Sequence, residues 1–416
     1  MGSPWGPEAG STRRDGAAGK IGREDGTVCG EIDGARPRLG HVNRYKGVDL
    51  PKTPPESEEM KIESWVFREP GAPMGLQVRE EEAGAGEALV EVAGCGVCHT
   101  DLGFVYDSVP TRHALPLTLG HEISGTVVEA GEGAQSWIGK RVIVPAVIPC
   151  GSCRACIAGE GSICSNQIFP GNDVHGGFAT HVRVPSTGLC PIPDLADANI
   201  NRVGLDLAAL SVIADAVSTP YQALLRSDLQ AGDLAVFVGA GGVGGFGVQL
   251  AASMGAHVVA IDVVAARLEA LAGCGAHLRL SAAELDFRAL KGAVKRFASD
   301  HDVPSWRWRI FETSGTPAGQ ATAFGLLGKA SYLAVVGYTP KKVELRLSNL
   351  MALDATARGN WGCLPEHYPP IVELALQGDV QLEPFIERRP LASINETFAA
   401  VHAHELSRRV ILTPES

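Results

Sequence analysis

Residues 235–254 read AVFVGAGGVGGFGVQLAASM, which is the part of the sequence most informative about the fold. Its first four residues form a continuous apolar run, the next six follow the pattern GxGxxG, and a helical stretch comes after them. A strand before such a loop and a helix after it are the context in which GxGxxG binds a dinucleotide. Gly239 permits the tight turn, Gly241 lets backbone amides approach a pyrophosphate, and Gly244 lets the helix pack closely on the strand.

The acidic residue that should follow this loop is also present. The next strand, at residues 257–261, ends in Asp262, whose carboxylate would accept hydrogen bonds from the adenosine ribose and repel a 2′-phosphate. The pattern therefore predicts NAD over NADP. Two alternatives stay open: a glycine-rich turn without a ligand, and Asp262 as an ordinary charge at a strand end. The loop residues expected to bind the cofactor are Gly239, Gly241, Gly242, Val243 and Gly244.

The rest of the chain organises around this unit. At 416 residues it exceeds one typical core, so two domains are expected. From residue 233 onward strands alternate with helical stretches, which predicts a parallel sheet covered on both faces. Between residues 77 and 144 short apolar segments alternate with glycine turns, which indicates a compact β-rich domain. A last short strand near Arg409 is expected to rejoin that domain.

The predicted boundaries follow these changes of pattern. Residues 1–59 are rich in Gly, Pro, Arg and acidic residues and lack apolar periodicity, so we expect a disordered extension or a start site assigned too early. The remaining boundaries are 60–215 for the catalytic domain, 150–164 for a lobe within it, 216–365 for the cofactor domain and 366–416 for the return to the catalytic domain.

The composition indicates which classes of partner to exclude and which cellular compartment to expect. The net charge is −11 and no block of Lys and Arg occurs, which argues against nucleic acid. The sequence contains no run of eighteen apolar residues, so we expect no membrane span. The N-terminus also lacks the apolar core of a secretory signal. Ten cysteines, several with zinc-type spacing, indicate a reducing cytoplasm.

Four of these cysteines are closely spaced. Residues 150–164 read CGSCRACIAGEGSIC, so Cys150, Cys153, Cys156 and Cys164 can form the closed tetrahedral set of a structural zinc. The alternative, thiol redox chemistry, needs one reactive pair at a helix start, whereas three cysteines here repeat at equal steps. The segment is predicted to be a lobe shaped by its metal ion.

A second set of possible metal ligands is scattered along the chain. Cys98 lies in GVCHTD, His121 in GHE, and Asp215 in ADAVSTPY. One thiolate, one imidazole and one carboxylate would leave the fourth position open, as a catalytic zinc requires. Each residue alone is more often part of a core than a ligand, so only their combination carries weight.

With these motifs together, residues 60–416 resemble the zinc-dependent medium-chain alcohol dehydrogenases. The resemblance implies an α/β protein in which a β-rich GroES-like catalytic domain joins a Rossmann domain with a doubly wound parallel sheet. It implies NAD, one catalytic and one structural zinc, and a homo-oligomer, either a dimer or a tetramer. The matching site residues are Cys98, His121 and Asp215 as catalytic zinc ligands, Glu122 as their acidic neighbour, Thr100 on the substrate oxygen, Asp101 orienting His121, Arg267 at the adenosine ribose and Arg409 at the pyrophosphate.

Two positions depart from the family pattern. Asp215 stands where Cys is usual, and its harder oxygen donor should leave the zinc more electrophilic. The alternative is that Asp215 only caps the helix after it. Gly103 stands where many relatives carry a proton-relay histidine, so the route of the substrate proton is open, with His99 a possible substitute.

Four segments carry a narrower resemblance. Residues 107–121, 170–177, 346–351 and 359–363 resemble the dehydrogenases that act on a CoA thioester in anaerobic benzoyl-CoA degradation. This resemblance implies a small-molecule CoA thioester as substrate, which composition and spacing do not reveal. The basic residues near these segments are candidates for binding CoA or else ordinary surface charges: Arg112, Arg346, Lys341 and Lys342.

Three other functions remain as alternatives. A zinc dehydrogenase of a free secondary alcohol or polyol would work without the CoA group. An alkene reductase of the same architecture would need no catalytic zinc, which the ligand set argues against. A non-catalytic, zinc-stabilised NAD sensor would tolerate Cys98→Ala, but Thr100 and Asp101 beside Cys98 argue against it.

Overall fold

The computed structural model describes residues 61–414, so the predicted extension at 1–59 lies outside the described residues. The strands are β1 (Lys61–Phe67), β2 (Gly75–Glu80), β3 (Glu87–Gly96), β4 (Leu117–Thr118), β5 (Glu122–Ala130), β6 (Arg141–Val144), β7 (His181–Pro185), β8 (Cys190–Pro191), β9 (Leu234–Val238), β10 (His257–Asp262), β11 (Leu278–Ser281), β12 (Trp308–Glu312), β13 (Tyr332–Val335), β14 (Thr356–Gly359), β15 (Ile386–Pro390) and β16 (Arg409–Thr413).

The helices connect and cover these strands. The α-helices are α1 (His99–Tyr106), α2 (Arg154–Ile157), α3 (Ser218–Arg226), α4 (Gly244–Ser253), α5 (Ala265–Ala270), α6 (Phe287–Asp300), α7 (Pro317–Leu326), α8 (Ser348–Leu353), α9 (Tyr368–Gln377) and α10 (Ile394–His402). Short 3-10 helices occupy Gln135–Trp137, Gly161–Ile163, Ala209–Ala214, Ser305–Arg307, Pro365–His367, Glu383–Phe385 and Leu391–Ser393. Among the described residues, no helix has the length and apolar character needed to cross a membrane.

The β-rich part of the chain consists of two sheets. The larger runs β15-β16-β3-β5-β6-β8, with β7 also paired to β3, and the smaller runs β2-β1-β4. Buried Leu89, Val90 and Val92 hold β3 in the core of the larger sheet. The last strand, β16, pairs antiparallel with β3, with Ile411 opposite Gly96, so the end of the chain completes a sheet begun near its start.

The second layer is a six-stranded sheet whose strands are all parallel. Its order is β11-β10-β9-β12-β13-β14, which reverses direction between β9 and β12. All five residues of β9 are buried, as expected for a parallel strand covered by helices on both faces. This is the doubly wound order of a dinucleotide-binding fold, and the predicted fold class is confirmed.

One apolar cluster connects the two layers. It includes Ile143 and Ile411 of the larger β-rich sheet together with Phe237 and Phe311, whose rings stack at 4.7 Å in the parallel sheet. A cleft of 1330 Å³ lies beside this shared core, at the carboxyl ends of the parallel strands, where ligands bind in such sheets.

Candidate active site

Four possible metal-ligating side chains meet in the catalytic part of the cleft. Cys98, His121, Glu122 and Asp215 each offer an atom, and these atoms all lie within 4.8 Å of one another. Cys98 is the N-cap residue of α1, His121 immediately precedes β5, and Asp215 follows the buried 3-10 helix Ala209–Ala214. The fold therefore brings together three segments that are far apart in sequence.

The donor set fits a zinc ion. His121 is 1% exposed, and neither of its ring nitrogens has a hydrogen-bond partner within residues 61–414. A buried imidazole without partners is costly unless a metal uses it. Asp215 Oδ2 lies 3.5 Å from Cys98 Sγ and 3.6 Å from His121 Nε2. Zinc bonds of 2.0–2.3 Å in a tetrahedron give ligand separations of about 3.3–3.8 Å, which these distances match.

Asp101 holds two of these ligand segments in place. Its fully buried carboxylate accepts the Cys98 N–H at 3.0 Å and the Gly120 N–H at 3.2 Å, and it lies 3.4 Å from His121 Nδ1. Gly120 has φ +97°, and a Cβ there would lie 2.7 Å from the Cys95 sulfur, so only glycine fits. Asp101 is therefore placed to orient both the thiolate and the imidazole.

Asp215 itself is oriented by the helix that follows it. The Thr219 hydroxyl donates to Asp215 Oδ1 at 2.5 Å, which leaves Oδ2 facing Cys98 and His121. The N-cap residue of α3 is Val217, and no side-chain hydrogen bond caps that helix. The capping alternative for Asp215 therefore has no hydrogen bond in support, and its role as a ligand stays a prediction.

Glu122 is engaged by an arginine that also reaches the cofactor loop. Arg409 Nε donates to Glu122 Oε2 at 3.0 Å, and Arg409 Nη2 contacts the other carboxylate oxygen. Burial by itself would lower the Arg409 pKa, but the Glu122 carboxylate beside it raises that pKa above its usual range. A Cβ on Gly242 would lie 3.1 Å from Arg409 Nη1, so the guanidinium lies against the loop where the pyrophosphate is expected.

The glycine loop has the geometry that its sequence predicts. Gly239 has φ +100°, and a Cβ on Gly244 would lie 1.8 Å from the Gly239 carbonyl oxygen. Asp262 is 6% exposed, and its carboxylate accepts backbone N–H groups from Ala240 at 2.6 Å and Val264 at 2.8 Å. The alternative of an ordinary surface charge at Asp262 therefore does not describe this carboxylate, which is buried at the loop.

Two further predicted site residues, Thr100 and Arg267, line the same cleft, and their roles stay predictions. Arg267 Nη1 is 3.8 Å from Asp262 Oδ2, and its guanidinium also borders Gly241. Thr100 Oγ1 is 3.7 Å from Cys98 Sγ and faces the cleft. Gly103 lines the cleft without a side chain that could relay a proton, while the exposed His99 lines it too.

The four-cysteine lobe has the geometry of a closed site. Its sulfur atoms lie within 4.8 Å of one another, with Cys153 3.5 Å from Cys156 and 3.7 Å from Cys164, and Cys150 4.0 Å from Cys156. Tetrahedral zinc with 2.3 Å bonds to sulfur has sulfur–sulfur edges of about 3.8 Å. All four are free thiols in the structure, so they fit a structural zinc.

Sequence reasoning missed the residues of the substrate end. The Phe169 ring packs on His121 with centroids 4.8 Å apart, and the Trp361 ring meets Phe169 edge-on at 6.1 Å. Arg226 and Arg358 also line the cleft. The segment at 359–363 is distinctive in the sequence, but its sequence alone does not show that Trp361 faces the cleft.

The basic residues proposed for CoA lie elsewhere. The residues that line the cleft do not include Arg112, Arg346, Lys341 or Lys342. Arg112 instead pairs with Asp173 at 3.2 Å. Their assignment to CoA was based on nearness in sequence, which does not bring them to the cleft.

Comparison with known proteins agrees with this geometry. A family model described as "Alcohol dehydrogenase GroES-like domain" matches residues 84–194, and one described as "Zinc-binding dehydrogenase" matches residues 242–377. Together the two models match more than half of the chain. Both describe dehydrogenases, which speaks against the non-catalytic sensor.

Individual relatives extend the match over most of the described part. The NAD-dependent alcohol dehydrogenase of Sulfolobus acidocaldarius is 27% identical over 357 residues, covering 82% of this chain and 96% of the relative. The 2-dehydro-3-deoxy-L-galactonate 5-dehydrogenase of Pseudoalteromonas atlantica is 28% identical over 322 residues, covering 76% and 88%. The alcohol dehydrogenase structure from Aeropyrum pernix superposes with a TM-score of 0.73 at 27% identity, covering 85% of this chain and 100% of that one. The chain belongs to the zinc-dependent medium-chain alcohol dehydrogenase family and is an oxidoreductase that uses NAD and zinc to act on a CH–OH group.

Proposed function

We propose that this enzyme oxidises the ring hydroxyl of 6-hydroxycyclohex-1-ene-1-carbonyl-CoA to the 6-oxo thioester while reducing NAD to NADH. The carbinol carbon loses a hydride to NAD and the hydroxyl loses a proton to solvent, so atoms and electrons balance. The observation that carries the dehydrogenase chemistry is the single cleft into which both the Cys98 group and the Gly239 loop open. Its volume of 1330 Å³ exceeds the roughly 300–1,000 Å³ of a site for one small ligand, as two substrates require.

The residues around the metal group have distinct tasks in this proposal. Cys98, His121 and Asp215 hold the zinc, which as a Lewis acid lowers the pKa of a bound hydroxyl. Thr100, 3.7 Å from the Cys98 sulfur, accepts the hydrogen bond of the substrate hydroxyl. His99 lines the same cleft and is exposed, so it is our candidate to pass the proton to water in the absence of a side chain at residue 103.

The cofactor half of the cleft orients the hydride acceptor. Backbone amides of the loop at 239–244 and the start of α4 face the pyrophosphate, because a helix N-terminus favours an anion. Arg409 adds a cation at Gly242, and Asp262 with Arg267 marks the adenosine end. A dinucleotide bound in this way would extend along the cleft into which the metal group also opens.

The CoA thioester is supported by where the distinguishing segments lie. Residues 359–362 all line the cleft, and Phe169, which immediately precedes the segment at 170–177, packs on His121. Of the four segments that resemble those of CoA-thioester dehydrogenases, 359–363 thus borders the cleft directly and 107–121 contributes Asp107. The product ketone would be conjugated with the ring alkene, which favours oxidation.

Oxidation of a free secondary alcohol or polyol is the second candidate. It is supported by the relatives, since the one from Pseudoalteromonas atlantica is named for a dehydrogenation of a sugar-acid derivative without CoA. Both candidates use the same metal group and the same cofactor loop, so they differ only in what the substrate end must bind.

A substrate panel separates the two. NADH formation is measured with 6-hydroxycyclohex-1-ene-1-carbonyl-CoA, with cyclohex-2-enol and with a free polyol, on wild type and on Thr100→Ala. We expect turnover of the thioester at a far higher kcat/KM than either free alcohol, and its loss in Thr100→Ala. Efficient turnover of the free alcohols with none of the thioester would contradict the CoA assignment and leave the dehydrogenase chemistry standing.

A further inference from the structure

Two arginines that the dehydrogenase chemistry does not use line the cleft near the loop after β14, where Arg226 contacts Asn360, two residues beyond Arg358. Arg226 is the last residue of α3, and Arg358 lies in β14, the edge strand of the parallel sheet. Both line the cleft. Neither has a carboxylate within 4.0 Å in the part of the chain that the structure describes. In a protein with net charge −11, two cations that line one cleft without an ion-pair partner there call for an explanation.

Arg226 is held in a fixed orientation. Its Nη2 donates to Ser162 Oγ at 2.6 Å and its Nη1 to Asn360 Oδ1 at 3.2 Å. Ser162 belongs to the four-cysteine lobe, and Asn360 begins the loop after β14. The Asn360 amide nitrogen in turn donates to the Thr219 carbonyl at 3.1 Å, which fixes the direction of its oxygen. The guanidinium therefore bridges the lobe and the loop before any ligand arrives.

The loop that carries this site is itself rigid. Gln222 Nε2 donates to the carbonyls of Trp361 at 3.1 Å and Gly362 at 2.8 Å, and Gln222 Oε1 accepts the Leu364 N–H at 2.9 Å. Trp361 Nε1 donates to Gln167 Oε1 at 2.9 Å. A preorganised loop costs little ordering entropy when it binds a ligand.

The electrostatics favour an anion between the two guanidinium groups. Burial lowers the pKa of Arg226, and repulsion by Arg358 lowers it further. Glu160 acts in the opposite direction, but it lies beyond ion-pair distance and is itself exposed at the cleft. An anionic ligand would remove the repulsion between the two cations, and arginine is well suited to phosphate because its N–H groups can bind two oxygens at once.

An apolar wall connects this pair to the metal group. The ring centroids of His121 and Phe169 are 4.8 Å apart, and those of Phe169 and Trp361 are 6.1 Å apart. Trp361 follows Asn360 in the chain. A substrate whose hydroxyl lies at the metal group can thus lay an apolar body along these rings and reach the arginines with a charged tail.

We propose that Arg226 and Arg358 form a phosphate-binding subsite that recognises an anionic tail of the alcohol substrate. This deepens the proposed function, on which it rests, because the phosphates of a CoA thioester are one source of such a tail. A phosphorylated alcohol without CoA is the other source of the same chemistry. In both cases the subsite determines affinity for the substrate and does not take part in hydride transfer.

The test uses the zinc-loaded enzyme saturated with NADH, so that the pyrophosphate site of the cofactor is filled. Calorimetry measures binding of free CoA and of inorganic phosphate to wild type, Arg358→Gln, Arg226→Gln and Arg226→Lys. Arg141→Gln is the control, because Arg141 is similarly accessible and lies outside the cleft. Losing a hydrogen bond to a charged group corresponds to roughly tenfold or more in affinity.

We expect CoA binding to weaken roughly tenfold or more in Arg358→Gln and Arg226→Gln, less in Arg226→Lys, and not at all in Arg141→Gln. For turnover, KM for the thioester should rise while kcat and the KM for cyclohex-2-enol stay unchanged. The subsite is wrong if wild type, Arg358→Gln and Arg226→Gln bind CoA and phosphate with equal affinity. It is also wrong if wild type binds neither ligand.

The outcomes separate this inference from the proposed function. Suppose that wild type does not oxidise the thioester but binds phosphate, and that Arg358→Gln does not bind phosphate. The subsite then stands, and the substrate is a phosphorylated alcohol without CoA. If wild type oxidises the thioester equally well in every variant, the CoA function stands and the subsite is wrong. Arg358 is exposed, so its substitution tests the idea without the risk of unfolding that Arg226 carries.

Discussion

Replacing Asp101 by Asn should release the catalytic zinc while the structural zinc stays bound. Asp101 is fully buried and accepts two backbone N–H groups, from Cys98 at 3.0 Å and from Gly120 at 3.2 Å, while lying 3.4 Å from His121 Nδ1. An amide has one accepting oxygen, so in either orientation its NH₂ group faces a backbone N–H. One buried donor then loses its partner, and the negative charge beside His121 is lost.

The expected magnitude follows from these contacts. Losing a hydrogen bond to a charged group costs about 1.5–3 kcal/mol, and residues that orient metal ligands typically contribute about 10–100-fold in metal affinity. The two ranges agree, because a tenfold change corresponds to about 1.4 kcal/mol. We therefore expect zinc affinity at the Cys98 site to fall about 10–100-fold in Asp101→Asn.

The assay compares zinc content after dialysis against a graded series of chelator concentrations. Asp233→Asn is the matched control, since Asp233 is also buried and pairs with Arg307 and Arg309 away from either metal group. The control should lower thermal stability but keep both zinc ions. If Asp101→Asn keeps both zinc ions at the chelator concentrations that wild type withstands, Asp101 does not orient the ligands as argued.

Three further predictions test other parts of the structure. Gly244→Ala puts a Cβ 1.8 Å from the Gly239 carbonyl, so it should cost about 1–3 kcal/mol of stability and weaken NADH binding in a fluorescence titration, whereas Gly75→Ala, with open space around its Cβ, should do neither. Cys153→Ser should remove the structural zinc alone and lower the thermal midpoint, and an unchanged zinc content would be evidence against the four-sulfur site. His175 accepts the Thr118 N–H at 3.1 Å, and burial, reinforced by Arg79, lowers its pKa from 6.5 to about 4, so the unfolded chain binds more protons and wild type loses stability as pH falls from 6.5 toward 4. His175→Asn keeps an acceptor but does not titrate, so its free energy of unfolding, measured by urea titration, should fall less between pH 7.5 and 5. The expected difference is about 1 kcal/mol after allowance for partial exposure, and an equal fall in both proteins would refute this.

Local motifs were readable from the sequence because their function depends on neighbouring residues. The loop at 239–244 binds through its own backbone, and its glycines are required at φ +100° and where a Cβ would meet the Gly239 carbonyl. The four cysteines within 150–164 are equally local. The alternation of strands and helices predicted the parallel sheet for the same reason, because the apolar pattern of each element indicates which of its faces is buried.

The proposed catalytic metal group was suggested by the combination of three scattered residues together with the family resemblance. Asp215 lies 117 residues from Cys98, and nothing in its local sequence distinguishes a ligand from a helix cap. In the structure Thr219 binds one carboxylate oxygen of Asp215 and the other faces Cys98 and His121, a geometry compatible with the predicted ligand role.

The residues around Arg226 in the cleft could not be predicted from the sequence for a related reason. Arg226 and Asn360 are 134 residues apart and meet only through the tertiary fold. Arg112 and Arg346 were attractive because they lie in or beside distinctive segments, but nearness in sequence placed neither at the cleft. Charged residues carry no periodic pattern that predicts which cavity they face.

Asp215 is the residue on which the proposed catalytic zinc site with Cys98 and His121 depends most. The most direct measurement is zinc per chain together with NADH formation, on wild type, Asp215→Ala and Asp215→Cys, with Asp233→Asn as the control for a buried carboxylate. We expect two zinc ions and turnover in wild type, one zinc ion and no turnover in Asp215→Ala, and two zinc ions again in Asp215→Cys. Two zinc ions and wild-type turnover in Asp215→Ala would contradict it.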